Sequence, residues 1–158
     1  MSSHRLPGVA NLGIVRPPLV YLSAVLAGML LDVARPLPFV PAVLTLPVGL
    51  SLVMVGVTLF SHAVRRFRAA GTPVPGNRPT TVIVRTGAYR FSRNPIYLAM
   101  SLLHLGIAIW ANSVWLVVTL AVAVTLMGTV VIPREERYLE ERFGAEYLEY
   151  KASVRRWL

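Results

Sequence analysis

Two clusters of polar residues stand at the edges of long apolar runs in this chain. The segment 87–97 carries tyrosines, arginines and the pair Asn94-Pro95, and a second cluster begins at Glu135-Glu136. Adjacent carboxylates accept hydroxyl hydrogen bonds and attract cations. The pair therefore suits a site that grips a cationic or hydroxyl-bearing ligand, while the tyrosines and arginines converge where a membrane would meet water.

Each cluster also has a purely structural interpretation. Asn is a preferred N-cap and Pro a preferred first helical residue, so Asn94-Pro95 also predicts a simple helix start. The neighbouring arginines and tyrosines are then interfacial anchors. In the same way, Glu135 and Glu136 in a first helical turn interact favourably with the helix dipole. The spacing of each cluster alone leaves both interpretations open.

The histidines and several absent motifs narrow the chemistry. His104 lies seven residues after Tyr97 and so on the same helix face, where it could make an interhelical hydrogen bond or contribute to a site. The three histidines lack a metal-ligand spacing, so we expect no metal. The chain has no cysteine, no soluble-type nucleotide-binding motif and no GxSxG. A mechanism that positions two reactants fits better than covalent catalysis.

Composition places the protein in a membrane. Of its 158 residues, 55% are hydrophobic and 15% charged, which is too apolar for an ordinary soluble domain. The formal net charge of +9 comes from arginines beside apolar runs, so we expect contact with anionic lipid and no nucleic-acid partner.

The apolar runs predict an all-α integral membrane protein with about four transmembrane helices. The predicted spans cover residues 17–34, 39–63, 95–110 and 114–132. Spans 3 and 4 are separated only by Ala111-Asn112-Ser113 and form a helical hairpin. Between spans 2 and 3 lies a cytoplasmic loop, 65–94, and after Pro133 the chain changes to an amphipathic helical tail, 133–158, which Gly144 interrupts. Residues 1–158 make a single membrane domain.

The arginines also predict orientation. They are dense in the long loop and in the tail and sparse in the two short connections, so the positive-inside rule puts both termini and the long loop in the cytoplasm. Both polar clusters then share one side of the membrane. The arginine-rich, nearly lysine-free composition favours a prokaryotic inner (cell) membrane.

In order along the chain, the two clusters resemble a known family. The ordered motif reads Gly87-x-Tyr89-Arg90-x-x-Arg93-Asn94-Pro95-x-Tyr97, an apolar hairpin, and Glu135-Glu136-x-x-Leu139-x-x-x-Phe143-Gly144-x-x-Tyr147-x-x-Tyr150-x-x-x-Val154-x-Arg156. It is similar to the isoprenylcysteine carboxyl methyltransferase and phospholipid methyltransferase superfamily, integral membrane enzymes that use S-adenosylmethionine. The resemblance covers roughly residues 66–158. Where that family commonly has Arg-His-Pro, this chain has Asn94, which cannot titrate near neutrality.

The resemblance implies where an S-adenosylmethionine pocket lies. The implied cofactor-binding residues are Gly87, Tyr89, Arg93, Asn94, Pro95, Tyr97, Glu135 and Glu136. One of the two glutamates would bind the ribose hydroxyls or the amino group of the cofactor. Arg90 or Arg134 would hold its carboxylate or an anionic substrate head group, and His104 would meet the adenine or an acyl chain. The implied catalytic residues are Glu135, Glu136, His104 and Arg90.

The expected activity is direct methyl transfer to a lipid or other lipophilic acceptor at the cytoplasmic membrane interface. An amine acceptor needs a base, for which Glu135, Glu136 and His104 are the candidates. Two alternatives are an NADPH-dependent membrane reductase of the sterol-reductase type, with Arg90 and Arg93 at the 2′-phosphate, and a non-catalytic membrane protein. The acceptor (prenyl-cysteine, phospholipid amine or another) and the oligomeric state are not predicted.

Overall fold

The structure is a computed structural model that describes residues 16–74 and 79–158. Predictions for residues 1–15 and 75–78, including the side of the membrane on which the amino terminus lies and the extent of the single domain, fall outside the described residues. Its helices are α1 (Pro17–Ala34), α2 (Ala42–Ala69), α3 (Pro95–Trp110), α4 (Val114–Leu126), α5 (Ile132–Phe143) and α6 (Ala145–Ser153), with a 3₁₀ turn at Gly87–Arg90 and a π-helical turn at Met127–Val131.

The helices confirm an all-α membrane protein. Three are long and apolar enough to cross a bilayer, namely α1, α2 and the continuous helix Val114–Phe143. The apolar helix α3 has 16 residues and is about 24 Å long, somewhat less than the roughly 30 Å of a hydrocarbon core. The bounds of α1 and α3 coincide with the first and third predicted spans, whereas α2 continues beyond residue 63 to Ala69.

Glycines bring α2 against α3 in the most extensive helix contact of the bundle. A Cβ added at Gly49 would lie 2.7 Å from the backbone nitrogen of Trp110, and one at Gly56 would lie 2.8 Å from Leu103 Cγ. Gly106 on α3 faces Gly49 in turn, with a Cβ position 2.8 Å from the Gly49 carbonyl oxygen. Without side chains at these points the two backbones approach closely. On the other side of the bundle α1 packs on α4.

The turn between α3 and α4 confirms the predicted hairpin and binds the turn between α1 and α2. Asn112, with φ of 52°, accepts hydrogen bonds from the backbone N–H of Phe39 (2.9 Å) and Val40 (2.8 Å) and donates one to the Val40 carbonyl (2.8 Å). Ser113 begins α4 by accepting a hydrogen bond from the Leu116 N–H at 3.4 Å. The polar groups of both turns are thereby satisfied by each other.

The predicted amphipathic tail follows the fourth span without an interruption of the helix. One helix continues from Val114 to Phe143, and its π-helical turn, Met127–Val131, comes immediately before Pro133. Proline lacks an N–H and its ring clashes with the carbonyl of residue i−4, and a wider local turn accommodates both effects. Glu135 and Glu136 are therefore held rigidly on the extension of α4. The predicted interruption at Gly144 is present, with φ of 55°.

Beyond α6 the last residues fold back over the start of α3. We term residues 154–158 the C-terminal strap. The Arg93 N–H donates to the Arg155 carbonyl at 2.9 Å, and the Asn94 side-chain amide donates to the Arg156 carbonyl at 2.9 Å. These contacts bring the segment before α3, the face of α5 and the chain end together at one end of the bundle.

Candidate functional site

A cavity of about 160 Å³ lies at the end of the bundle where α3 begins. Its wall is formed by the starts of α1, α3 and α5, the last turns of α2, the segment 80–84 and α6. The lining residues are Pro17, Pro18, Phe60, Phe67, Val74, Thr80, Val82, Ile83, Val84, Tyr89, Arg93, Asn94, Ile96, Tyr97, Met100, Glu135, Glu136, Leu139, Tyr147 and Tyr150. The two polar clusters of the sequence thus meet in a single cavity.

The predicted site residues separate into two sets. The members that line the cavity are Tyr89, Arg93, Asn94, Tyr97, Glu135 and Glu136. The members absent from its wall are Gly87, Arg90, Pro95 and His104. Arg134, the other candidate for an anionic group, is also absent from the wall and is exposed.

Glu135 is a buried carboxylate with a single strong donor. Its Oε1 accepts a hydrogen bond from the Tyr97 hydroxyl at 2.6 Å, and only 7% of the residue is exposed. Among residues 16–74 and 79–158 no cation lies within ion-pair distance of it. A buried charge without a partner is costly. The Glu135 carboxylate is therefore suited to a ligand that brings a positive charge or hydroxyl donors into the cavity.

Glu136, the next residue, is surrounded by cations. Arg156 binds it through two hydrogen bonds, Nε to Oε1 at 3.1 Å and Nη2 to Oε2 at 2.7 Å. Arg93 Nη1 lies 3.1 Å from Oε1, and Lys151 Nζ lies 3.8 Å from Oε2. Such a carboxylate is already neutralised and hydrogen-bonded. Sequence reasoning could not distinguish the two glutamates, and the structure gives them different surroundings.

Arg93 presents unsatisfied donors in the cavity wall. Only 10% of its side-chain surface is exposed. Although Nη1 approaches Glu136, its N–H bonds are not directed at that oxygen, and neither Nη1 nor Nε has a hydrogen-bond acceptor in the described parts of the chain. Buried polar groups are nearly always hydrogen-bonded, so these donors are suited to an anionic group of a ligand.

Asn94 acts differently from a conventional cap. It occupies the N-cap position of α3, yet its side chain makes no capping hydrogen bond. Its amide instead donates to the Arg156 carbonyl, and its backbone N–H donates to Ser92 Oγ at 3.1 Å. The residue that replaces the family histidine therefore tethers the C-terminal strap to the cavity wall. Pro95 is the first residue of α3 and is fully buried, consistent with a role in starting the helix.

Aromatic side chains from α6 also line the cavity. The Tyr150 hydroxyl donates to the Tyr89 carbonyl at 2.8 Å, and the Tyr147 and Tyr150 rings lie 6.1 Å apart. Burial raises the pKa of Tyr147 to about 12, and nearby Glu136 acts in the same direction. These phenols are neutral at physiological pH. The sequence indicated only a helical face here, because their spacing of three residues says nothing about a cavity.

Gly87 and Arg90 take other positions because of the 3₁₀ turn that contains them. Gly87 has φ of 64°, and a Cβ there would lie 2.6 Å from His62 Nε2 and 2.7 Å from Arg66 Nε. Glycine is thus required for the turn to pack on α2. The same turn buries Tyr89 and leaves Arg90 exposed, so we remove Arg90 from the candidate site.

His104 lies deeper in the bundle, away from the cavity wall. Its ring meets the edge of the Tyr21 ring at 6.4 Å, and Nε2 lies 3.5 Å from Thr119 Oγ1 on α4. This position matches the interhelical interpretation rather than contact with a ligand. In residues 16–74 and 79–158 there is no group of three or more His, Asp or Glu that could hold a metal ion.

Much of the cavity wall is apolar. Phe60, Ile96 and Met100 line the cavity together with the prolines that begin α1. Met100 and Tyr97 also belong to the hydrophobic core between α1, α3 and the π-helical turn. The cavity wall therefore combines charged side chains, including Arg93 and Glu135, with apolar ones.

The sequence was compared with known proteins. The profile of the family described as "Phospholipid methyltransferase" matches residues 44–146. An uncharacterized protein of Haemophilus influenzae is 45% identical over 65 residues, which are 40% of this chain and 100% of that protein. No solved structure matches the chain.

Proposed function

The chain belongs to the phospholipid methyltransferase family, and on that premise we propose that it is an S-adenosylmethionine-dependent methyltransferase with a lipophilic acceptor. The observation that carries the proposal is the cavity wall, in which Arg93 and Glu135 lie among apolar side chains. Among the described residues Glu135 has no cation at ion-pair distance, and Arg93 Nε and Nη1 have no hydrogen-bond acceptor although Nη1 lies 3.1 Å from Glu136. The reaction would take place at the cytoplasmic face of a prokaryotic inner membrane, which the distribution of arginines supports.

The cavity residues fit the chemical groups of S-adenosylmethionine. Its carboxylate matches the free Nε and Nη1 donors of Arg93. Its ribose hydroxyls or its ammonium group match Glu135, whose only donor among residues 16–74 and 79–158 is the Tyr97 hydroxyl. The aromatic wall formed by Tyr89, Tyr147 and Tyr150 suits a planar base. Glu136, whose two oxygens are already bound by Arg156, is then not a ligand-binding carboxylate.

The residues need to align two reactants and exclude water. When bound, S-adenosylmethionine supplies an activated methyl group on a sulfonium with a good leaving group. Burial at the start of α3 would shield the donor from water, and alignment of two bound groups alone can lower a barrier substantially. The apolar side chains of the cavity wall, including Phe60 and Met100, would hold the acceptor.

If the methyl acceptor must lose a proton, Glu135 is the candidate base that the cavity wall favours. Glu135 lines the cavity without a cationic partner in the part of the chain that the structure describes, whereas Glu136 is held by Arg156, Arg93 and Lys151. His104 is outside the wall. We therefore assign any proton acceptance from an amine to Glu135. A carboxylate acceptor would need no base.

The proposal is tested by a labelling experiment in lipid nanodiscs. The protein is incubated with methyl-labelled S-adenosylmethionine and a bacterial lipid extract, and the products are identified by mass spectrometry. We expect label in a lipophilic product, and a loss of at least about 100-fold in Glu135→Gln. Glu141→Gln is the matched control, because Glu141 lies exposed on the same helix. Binding of NADPH without binding of S-adenosylmethionine would instead favour a reductase, and binding of neither a non-catalytic protein.

A further inference from the structure

Glu136 connects α5 to the C-terminal strap and to the segment before α3. Arg156 of the strap occupies both of its oxygens, with Nε at 3.1 Å from Oε1 and Nη2 at 2.7 Å from Oε2. Arg93 approaches the same Oε1 at 3.1 Å, but without a hydrogen bond directed at it. Two guanidinium groups therefore compete for one carboxylate, and Arg156 has the better geometry.

The position of Arg156 is fixed at both ends of the residue. Its side chain holds Glu136, while its backbone carbonyl accepts the Asn94 amide at 2.9 Å. The adjacent Arg155 carbonyl accepts the Arg93 N–H at 2.9 Å. The strap thus holds the Arg93 backbone, and Arg156 occupies both oxygens of Glu136, to which the Arg93 side chain makes no directed hydrogen bond.

We propose that Arg156 is a positioning residue that keeps the Nε and Nη1 donors of Arg93 free for the carboxylate of the methyl donor. This inference rests on the proposed function for the identity of the ligand. Without Arg156, Glu136 would be a buried charge whose remaining cations are Arg93 and, at 3.8 Å, Lys151. Leaving a buried charge unpaired is strongly unfavourable, so Arg93 would turn to Glu136 and its donors would be lost to the ligand.

The first test measures the preference for a carboxylate. Binding of S-adenosylhomocysteine and of its decarboxylated analogue is measured by calorimetry in micelles. We expect the wild-type protein to prefer the carboxylated ligand by about tenfold or more, the range for hydrogen bonds to charged groups. In Arg156→Gln the preference should fall to nearly one. Arg155→Gln is the matched control, since it removes the same charge from an exposed side chain of the same strap and should retain the preference.

The second test separates positioning from general support of the fold. In the double variant Glu136→Gln/Arg156→Gln the competing carboxylate is neutral, so Arg93 should again be free and part of the preference should return. A merely structural role predicts a double variant no better than Arg156→Gln, and that result would overturn the proposal. If Arg156→Gln does not fold, Arg156→Lys is used, which keeps a cation but cannot form both hydrogen bonds and should show an intermediate preference.

The third measurement needs no ligand. The Arg93 Nε–H signal, assigned by its loss in Arg93→Lys, is followed by NMR in the wild-type, Arg156→Gln and Arg155→Gln proteins. We expect its exchange with water to slow in Arg156→Gln alone, as Arg93 pairs with Glu136. Unchanged exchange would contradict the positioning role. If neither nucleoside ligand binds to the wild-type protein while exchange slows as expected, the proposed function fails and the competition for Glu136 still holds.

Discussion

Each end of α3 carries an asparagine that binds a neighbouring segment. The two ends differ in whether nearby polar groups remain without a hydrogen-bond partner. At one end Asn112 makes three hydrogen bonds, at 2.8–2.9 Å, to the backbone of Phe39 and Val40. At the other, Asn94 makes one side-chain hydrogen bond, to the Arg156 carbonyl, and stands in the cavity wall beside Arg93. The hydrogen bonds of Asn112 hold two turns together, whereas the end at Asn94 retains the Arg93 donors for a ligand.

This difference shows how a polar residue in an apolar bundle can be assigned. An asparagine whose hydrogen bonds are all directed at backbone groups stabilises the fold, and its replacement should reduce stability without affecting binding. A charged residue whose donors are buried and unused, such as Arg93, should behave in the opposite way. The predictions below test whether stability and binding separate between the two ends of α3.

The largest effect on stability is expected for Asn112→Ala. The change removes three hydrogen bonds, each worth about 1 kcal/mol, and places alanine at a φ of 52°, which adds about 1 kcal/mol of strain. We expect the free energy of unfolding to fall by roughly 3–4 kcal/mol, measured by denaturant or thermal unfolding in micelles.

A matched variant separates the two causes. Asn112→Gly loses the hydrogen bonds but tolerates the positive φ, so it should be less destabilised than Asn112→Ala. Binding of S-adenosylhomocysteine should be unchanged in both folded variants. A large loss of affinity in Asn112→Gly would show that the two ends of α3 are not independent.

The opposite pattern is expected for Arg93→Gln. The variant removes the charged donors from the cavity wall, so affinity for S-adenosylhomocysteine should fall by about 10- to 100-fold. The melting temperature should fall less than in Asn112→Ala, because Glu136 keeps both hydrogen bonds from Arg156 and two of the lost donors had no acceptor in the described ranges. Arg90→Gln, in the exposed position of the preceding 3₁₀ turn, is the control and should bind normally. Equal losses in both variants would refute the assignment of the anion site to Arg93.

The sequence predicted the helices better than it predicted the roles of the site residues. Apolar runs and flanking prolines placed α1 and α3, because helix length and start signals are local. The change to a charged, amphipathic sequence after Pro133 did not indicate that the helix continues through the proline, which the π-helical turn at Met127–Val131 allows. The sequence offered Arg90 or Arg134 for an anionic group, because no periodicity signals the 3₁₀ turn that leaves Arg90 exposed.

The roles of Glu135 and Glu136 required long-range information. Both residues lie in the same helical turn, and they differ in that Glu136 binds Arg156, which lies 20 residues beyond it in the sequence. Its approach depends on the turn at Gly144 and on the strap that folds back on residues 92–94. Gly144 was a recognisable signal for the turn, but the direction of α6 after it follows from tertiary packing. Sequence reasoning therefore included Arg156 in the motif and gave it no role.

A smaller effect is expected for Asn94→Asp, which distinguishes the two ends by chemistry. A capping residue tolerates aspartate well, but the carboxylate cannot donate to the Arg156 carbonyl and would be repelled by it. We expect destabilisation by about 1–3 kcal/mol, with faster hydrogen exchange at the Arg93 N–H as the strap loosens. Asn94→Gln, which keeps the amide on a longer side chain, should be less affected. Wild-type stability in Asn94→Asp would restore the simple N-cap interpretation.

The smallest effect is expected for Tyr97→Phe, which changes a single hydroxyl in the cavity wall. The Tyr97 hydroxyl is the donor to Glu135 Oε1 at 2.6 Å, and its loss leaves a buried carboxylate with no donor from the described residues. Affinity for S-adenosylhomocysteine should change by roughly three- to tenfold, corresponding to about 1 kcal/mol for one hydrogen bond. Tyr138→Phe is the control, because the buried Tyr138 hydroxyl on the same helix as Glu135 has no partner in residues 16–74 and 79–158. Removal of that hydroxyl should leave affinity unchanged. If both variants bind S-adenosylhomocysteine with the same affinity, the binding role of Glu135 does not depend on the Tyr97 hydroxyl. The contacts that matter at this end of α3 would then be those with the C-terminal strap.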